Sequence, residues 1–159
     1  MLLKHADMAL YRAKAKGKDG YQFFSQEMSV AARRLSLENG VRKALEEHQC
    51  VLHFQPKVDA GSFRVTGVEA LVRWCSPLHG MVAPSNFIPI AEETGLIAKI
   101  GEWVLLEACR QQRAWQDAGL PPVQVAVNVS ALQFRDDQLL AAVVSAIKIT
   151  GIDPKYLQL

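Results

Sequence analysis

A chain of 159 residues, half of them hydrophobic and with a formal charge of +2, has the makeup of an ordinary globular protein of one or two modest domains. Its eighteen basic and sixteen acidic residues are interspersed, which argues against a nucleic-acid-binding tail and makes a nucleic-acid polymer an unexpected partner. Cys50, Cys75 and Cys109 are odd in number, widely spaced and set in apolar segments, the pattern of reduced packing residues in a cytoplasmic compartment. No stretch is long or apolar enough to span a bilayer and no signal-peptide plan opens the chain, so no membrane contact is expected of this segment, although a longer parent could be membrane-anchored.

Leu3, Ala6, Leu10 and Ala13 form one stripe of a helix over residues 2–16, stopped by Gly17. The basic cluster Arg12, Lys14, Lys16 and Lys18 reads as a solvated helix face. A turn at Lys18-Asp19-Gly20 leads to Tyr21-Gln22-Phe23-Phe24, a short aromatic strand that needs a sheet to join. One helix and one strand cannot bury enough surface to fold alone, so residues 1–27 read as the end of a domain. The wording His5-Ala6-Asp7-Met8-Ala9-Leu10-Tyr11-Arg12-Ala13-Lys14 resembles the closing helix of GGDEF diguanylate cyclase domains. None of that family's catalytic loop is present, and no cyclase activity is implied.

Residues 28–48 read as a linker helix, with Val30, Leu37, Val41 and Leu45 near one face and a weak point at Asn39-Gly40. A helix of this kind could transmit motion between domains or act only as a spacer. At Cys50 the period changes. Val51 to Val58 and Phe63 to Trp74 form two strand runs around Asp59-Ala60-Gly61-Ser62, a turn short enough to make them antiparallel neighbours. Pro56 cannot donate to a ladder, so the first strand should end, bulge or lie at an edge there, leaving Gln55 beside Glu69.

Alternation places Glu69, Leu71 and Arg73 on one face of the second strand and Val68, Ala70 and Val72 on the other. A carboxylate and a guanidinium on one face suit the joint binding of a cation and an anionic oxygen, as phosphate-ester cleavage requires. A plain internal ion pair satisfies the same pattern. After the turn formers of residues 76–80 come a capped start at Pro84-Ser85-Asn86, a short helix to Glu93, and a long helix with Ile97, Ile100, Val104, Ala108, Gln111 and Trp115 on one stripe. Val123, Val125, Val127 and Val129 then alternate with Gln124, Ala126 and Asn128, a strand with one bulky face. Strand, helix and strand in this order indicate a right-handed crossover in an α/β sheet.

Asn128 falls at the C-terminal end of that strand, where barrel enzymes place their chemistry, and its amide oxygen could join Glu69 on a hard divalent cation. An Asn at a strand end, followed by Ser130, could equally satisfy a turn or cap the next helix. A helix over residues 136–149 with Leu140, Val143, Val144 and Ile147 inward, and a strand beginning at Tyr156, complete about half of an eight-stranded barrel, which leaves open edges that favour pairing with another copy.

Leu52-His53-Phe54-Gln55-Pro56, Gly67 through Trp74, Phe87-Ile88-Pro89 with Ala91 to Ile97, Gly101-Glu102-Trp103-Val104-Leu105 and Val127-Asn128-Val129-Ser130 together resemble the first half of an EAL domain. The resemblance implies an α/β fold, an incomplete TIM-like (β/α) barrel with its first strand antiparallel, over residues 49–159. It implies a cyclic di-GMP phosphodiesterase that opens its substrate to linear pGpG on two Mg2+ or Mn2+ ions. Glu69 and Asn128 would be catalytic metal ligands, and Gln55, Leu71 and Arg73 would lie against the substrate. The family's remaining ligands have no counterpart in this sequence, so the metal site is incomplete and the chain by itself is expected to be inactive. A non-catalytic cyclic di-GMP-binding or protein-interaction module, including a homodimer, is the alternative expectation.

Overall fold

The computed structural model describes residues 2–15, 20–135 and 138–159. The chain divides into two compact units, residues 1–40 and 41–159, at the Asn39-Gly40 pair. The first unit holds helix α1 (Leu2–Ala15) and most of helix α2 (Gln26–Glu46), which runs unbroken through the weak point. The stop at Gly17, the turn residues Lys18 and Asp19, and Lys16 of the basic cluster lie outside the described residues. Tyr21 to Phe24 form no strand. The segment is irregular, and Phe24 stacks on His5 at 3.8 Å between ring centroids. The expected apolar stripe of α1 is also corrected, since Leu3 and Leu10 are exposed and Ala9 is the buried residue. On α2, Leu37 and Val41 are buried as expected, whereas Val30 is exposed.

In the second unit, α2 closes on His48, whose φ of 53° is left-handed. The Gln49 N–H reaches the Ala44 carbonyl at 2.8 Å and the His48 N–H reaches that of Leu45 at 3.3 Å, so a Schellman cap turns the chain into the sheet. Strands β1 (Cys50–Val58) and β2 (Val65–Ser76) form the expected antiparallel hairpin. Its turn is held by the Asp59 carboxylate, which accepts from the Ser62 N–H at 2.8 Å and Oγ–H at 2.7 Å. β1 lies at the sheet edge, which accommodates Pro56, and the register slips one residue later, between Lys57 and Val58.

The loop after Trp74 contains a strand that the sequence did not reveal, β3 (Gly80–Val82), folded back on β2 through Gly80 at φ 66°. Helix α3 (Pro84–Glu93) starts with Pro84 in its first turn and Ala83 as N-cap, without the expected side-chain cap. Helix α4 (Ile97–Asp117) buries Ile97, Ile100, Val104, Leu105, Ala108 and Cys109, and it buries Gln112 where Gln111 was expected. Strand β4 (Gln124–Val127) runs parallel to β2, and after helix α5 (Gln138–Thr150) the short β5 (Leu157–Gln158) runs parallel to β4. The sheet order is β1-β2-β4-β5, with β3 beside β2.

This is a mixed α/β sheet whose first strand is antiparallel and whose successive parallel strands are joined by helices, an open portion of a TIM-like barrel. Ala70, Trp74, Val125 and Val127 are buried on its outer face. There Phe54 meets Trp115 edge-to-face at 4.9 Å, and Trp74 meets Phe87 at 5.9 Å. The Trp74 indole N–H also donates to Gln49 Oε1 at 2.9 Å, which satisfies its polar edge in a site only 1% exposed. The inward stripe expected on α5 is not formed: Leu140 is 67% and Val144 40% exposed, and Ala146 is the buried residue. α5 packs against α4 on one side, so most of its apolar circumference faces out. Among the described residues no helix is long and apolar enough to cross a membrane.

Candidate functional site

Alternation along β2 and its pairing with β1 fix the inner face of the sheet. Gln55 stands opposite Glu69, His53 opposite Leu71, and Val51 opposite Arg73. On the other flank Glu69 pairs with Ala126 of β4, a residue small enough to leave the carboxylate room. β4 ends at Val127, so Asn128 stands just past its C-terminal end. Its side chain turns back across the strand gap and donates from Nδ2 to Glu69 Oε1 at 2.6 Å, a short charge-assisted contact between residues 59 apart in sequence. The two polar groups that the sequence singled out therefore converge on one point.

Arg73 does not join them. Its guanidinium donates to the Val72 carbonyl at 2.9 Å, and no ion pair links it to Glu69, so the plain internal salt bridge that the pattern allowed is not formed. Arg73 and Leu71 are half-buried and Gln55 is exposed, all on the same inner face, where a bound molecule could reach them. Leu71 and Asn128 also line a cleft of about 240 Å3 with Ile88, Glu92, Ile97 and Ser130. That is below the volume of about 300–1,000 Å3 in which pockets enclose a whole small ligand, so this cleft suits only part of one. A larger hollow of about 690 Å3 lies between α4, α5 and the turn before α5, and neither Glu69 nor Asn128 lines it.

A carboxylate oxygen and, with the amide turned to present Oδ1 in place of the Nδ2 that faces Glu69, an amide oxygen match the preference of hard cations such as Mg2+ and Mn2+ rather than the nitrogen and sulfur sets of zinc. They supply part of a coordination shell only. Among the described residues no three His, Cys, Asp or Glu side chains stand together as a metal-binding group.

Sequence reasoning overlooked the support behind Asn128. The Ser130 Oγ–H donates to Glu92 Oε1 at 2.6 Å, and the Ser130 N–H donates to Gln133 Oε1 at 3.0 Å. Ser130 caps the 3-10 turn Ala131–Arg135, its Oγ accepting from the Leu132 N–H at 3.3 Å. The spacing Ser130-x-x-Gln133 is a capping-box pattern that was available to read. The cysteines are of two kinds: Cys50 and Cys109 are buried, burial pushing both thiols up to about 11, whereas Cys75 is exposed and is not the packing residue expected.

An open (β/α) barrel in which a carboxylate of mid-β2 meets an amide just past the C-terminal end of the parallel β4 has the layout of barrel proteins that gather polar groups beyond their parallel strand ends. Residues 38–159 match the EAL domain, and the chain belongs to that family. It is 48% identical over 157 residues to the bifunctional diguanylate cyclase/cyclic di-GMP phosphodiesterase MucR of Pseudomonas aeruginosa, an alignment covering 98% of this chain and 23% of MucR. It is 43% identical over 142 residues to the cyclic di-GMP phosphodiesterase PdeR of Escherichia coli, covering 89% of this chain and 21% of PdeR. Its fold is similar to that of the PaMucR phosphodiesterase in complex with c-di-GMP, with a TM-score of 0.74 and 50% identity over 77% of this chain and 49% of that one. The chain thus spans about a fifth of these curated relatives and about half of the solved domain.

Proposed function

We propose that this chain supplies the first half of a metal-dependent cyclic di-GMP phosphodiesterase site. The observation that carries this reading is the 2.6 Å approach of Asn128, just past the end of β4, to Glu69 of β2 in an EAL fold. Glu69 contributes the anionic oxygen and Asn128 the neutral oxygen toward a divalent cation, Mg2+ or Mn2+. When bound, a pair of such ions would polarise the phosphoryl group and lower the pKa of an attacking water. Arg73, held only by its neighbouring carbonyl, can swing to a phosphate oxygen with a bidentate fork. Gln55 offers an amide to the polar edge of the dinucleotide, and Leu71 gives apolar contact beside the cleft.

Residues 1–27 are in this reading the tail of a GGDEF domain, 28–48 a linker helix, and 49–159 the first half of the EAL barrel. Coverage of 98% of this chain by a bifunctional cyclase/phosphodiesterase supports that order. Two ligand residues cannot hold two ions, so the chain alone turns over no substrate. The same sequence joined to the rest of an EAL barrel does. The test is chromatography of cyclic di-GMP incubated with Mg2+ or Mn2+. Linear pGpG from the joined form, absent with Glu69→Ala and absent from the chain alone, is the expected result. Product from the chain alone, or product from the joined form that survives Glu69→Ala, would overturn the reading.

A second reading, self-association, rests on the exposed apolar residues Leu140, Val144 and Ile149 of α5 and on the unpaired edge of β5. It predicts a mass that rises with concentration.

A further inference from the structure

Asn128 has no ladder partner of its own, because β4 ends one residue earlier. Something other than the sheet must hold its side chain on Glu69. The segment that follows it is gripped from two helices. From α3, Glu92 accepts the Ser130 hydroxyl proton at 2.6 Å. Toward α4, the Gln133 side chain lies where Gly101 has no side chain of its own: a Cβ there would meet Gln133 Nε2 at 1.9 Å and Cδ at 2.9 Å. Gln133 Oε1 in turn receives the Ser130 N–H at 3.0 Å, and the Gln133 N–H returns to the Ser130 carbonyl at 2.9 Å. Every polar group of Ser130 is thereby engaged, two residues from Asn128.

Gly101 has no need of glycine for its backbone, since it sits inside α4 and shows no positive φ, and glycine in a helix interior is destabilising relative to alanine. Its use is space. That space admits a polar amide, which would be a poor filler for an apolar helix-sheet layer unless it had a bond to make.

We infer that Glu92, Ser130, Gln133 and Gly101 form a clamp that positions Asn128 onto Glu69. They are positioning residues, acting through the chain from Ser130 back to Asn128. The inference rests on the proposed function only in giving that convergence point its purpose; the clamp itself is a statement about geometry.

The experiment follows the Asn128 side-chain NH2 pair of the 15N-labelled chain by NMR. Glu69→Gln identifies the signature of its bond to the carboxylate, and Mn2+ affinity is measured in parallel. In the wild type the pair is shifted and slow to exchange. Ser130→Ala and Gly101→Ala are expected to collapse that signature toward free-amide values, with the backbone spectrum otherwise kept. Ser130→Thr, which retains the hydroxyl, restores it. Mn2+ affinity is expected to fall about 10-fold or more in the two collapsing variants, as for other lost supports of metal ligands. An unchanged Asn128 signature in Ser130→Ala overturns the clamp, and this variant decides alone if Gly101→Ala perturbs the whole fold. A wild-type chain that takes up no Mn2+ sinks the metal reading instead, while the amide signature still decides the clamp.

Discussion

Gln112 is the large polar side chain that α4 buries, 1% exposed, and its Nε2 donates to the Val123 carbonyl at 2.7 Å, one residue before β4 begins. That bond sets where the chain enters the sheet, and so the pairing of Gln124 with Gly67 from which Asn128 is counted out. Gln112→Leu keeps the volume but leaves the carbonyl without its donor. An unsatisfied buried acceptor costs about 1–3 kcal/mol, and replacing a desolvated amide by an apolar side chain returns part of this, so a net loss of about 1–2 kcal/mol is expected. Gln112→Ala adds a cavity and should lose about 2–4 kcal/mol. Urea unfolding followed by circular dichroism reads both. With a slope of about 1–3 kcal/mol per molar urea, the leucine variant should lower the midpoint by roughly 0.3–2 M, and the alanine variant by more. A leucine variant as stable as the wild type would refute the reasoning, because the hydrogen bond would then contribute nothing beyond packing.

Phe63 holds a φ of 54° in the hairpin turn with its ring 82% exposed, so Phe63→Gly relieves a strain of about 1–2 kcal/mol at an entropic cost of about 0.5–1 and should stabilise the fold by roughly 0.5–1 kcal/mol in the same assay. Hydrogen bonds from Ser62 hold the Asp59 carboxyl below its ordinary 3.8. Its contribution is therefore present above that value and lost as pH falls through the lower folded pKa, so the deficit of Asp59→Ala should be full at neutral pH and vanish in strong acid. A deficit that persists in acid would contradict this. Thiol titration of the native chain should show one fast group, Cys75, and two slow ones, because Cys50 and Cys109 are buried and pushed up to about 11. Equal rates for all three would contradict the burial.

The elements legible in the sequence are those whose pattern admits one reading. Asp59-Ala60-Gly61-Ser62 between two alternating runs specifies a hairpin, and the valine alternation specifies a strand, although only Gln124–Val127 of the expected run pairs in the sheet, with Val125 and Val127 buried and Val123 and Val129 outside it. Patterns with several readings failed. Residues 138–147 of α5 are apolar nearly all round, so no stripe indicates which side is buried. The aromatic run at residues 21–24 has strand propensity but joins no sheet, and propensity for strands takes effect only in a sheet. β3 has three residues, too few for alternation to register. Strand parity put Glu69 on the inner face, and Asn128, counted to that face, stands just past the end of β4 with its side chain on Glu69. Their contact needs the parallel alignment of β2 with β4, and the clamp behind it needs three elements brought together.

The most direct measurement of the central claim is Mn2+ binding to the purified chain by electron paramagnetic resonance, compared with Glu69→Ala and Asn128→Ala. Convergence of these two side chains on a cation predicts saturable binding by the wild type, weak for want of further ligands, and its loss in both variants. Binding that persists undiminished in Glu69→Ala would contradict it.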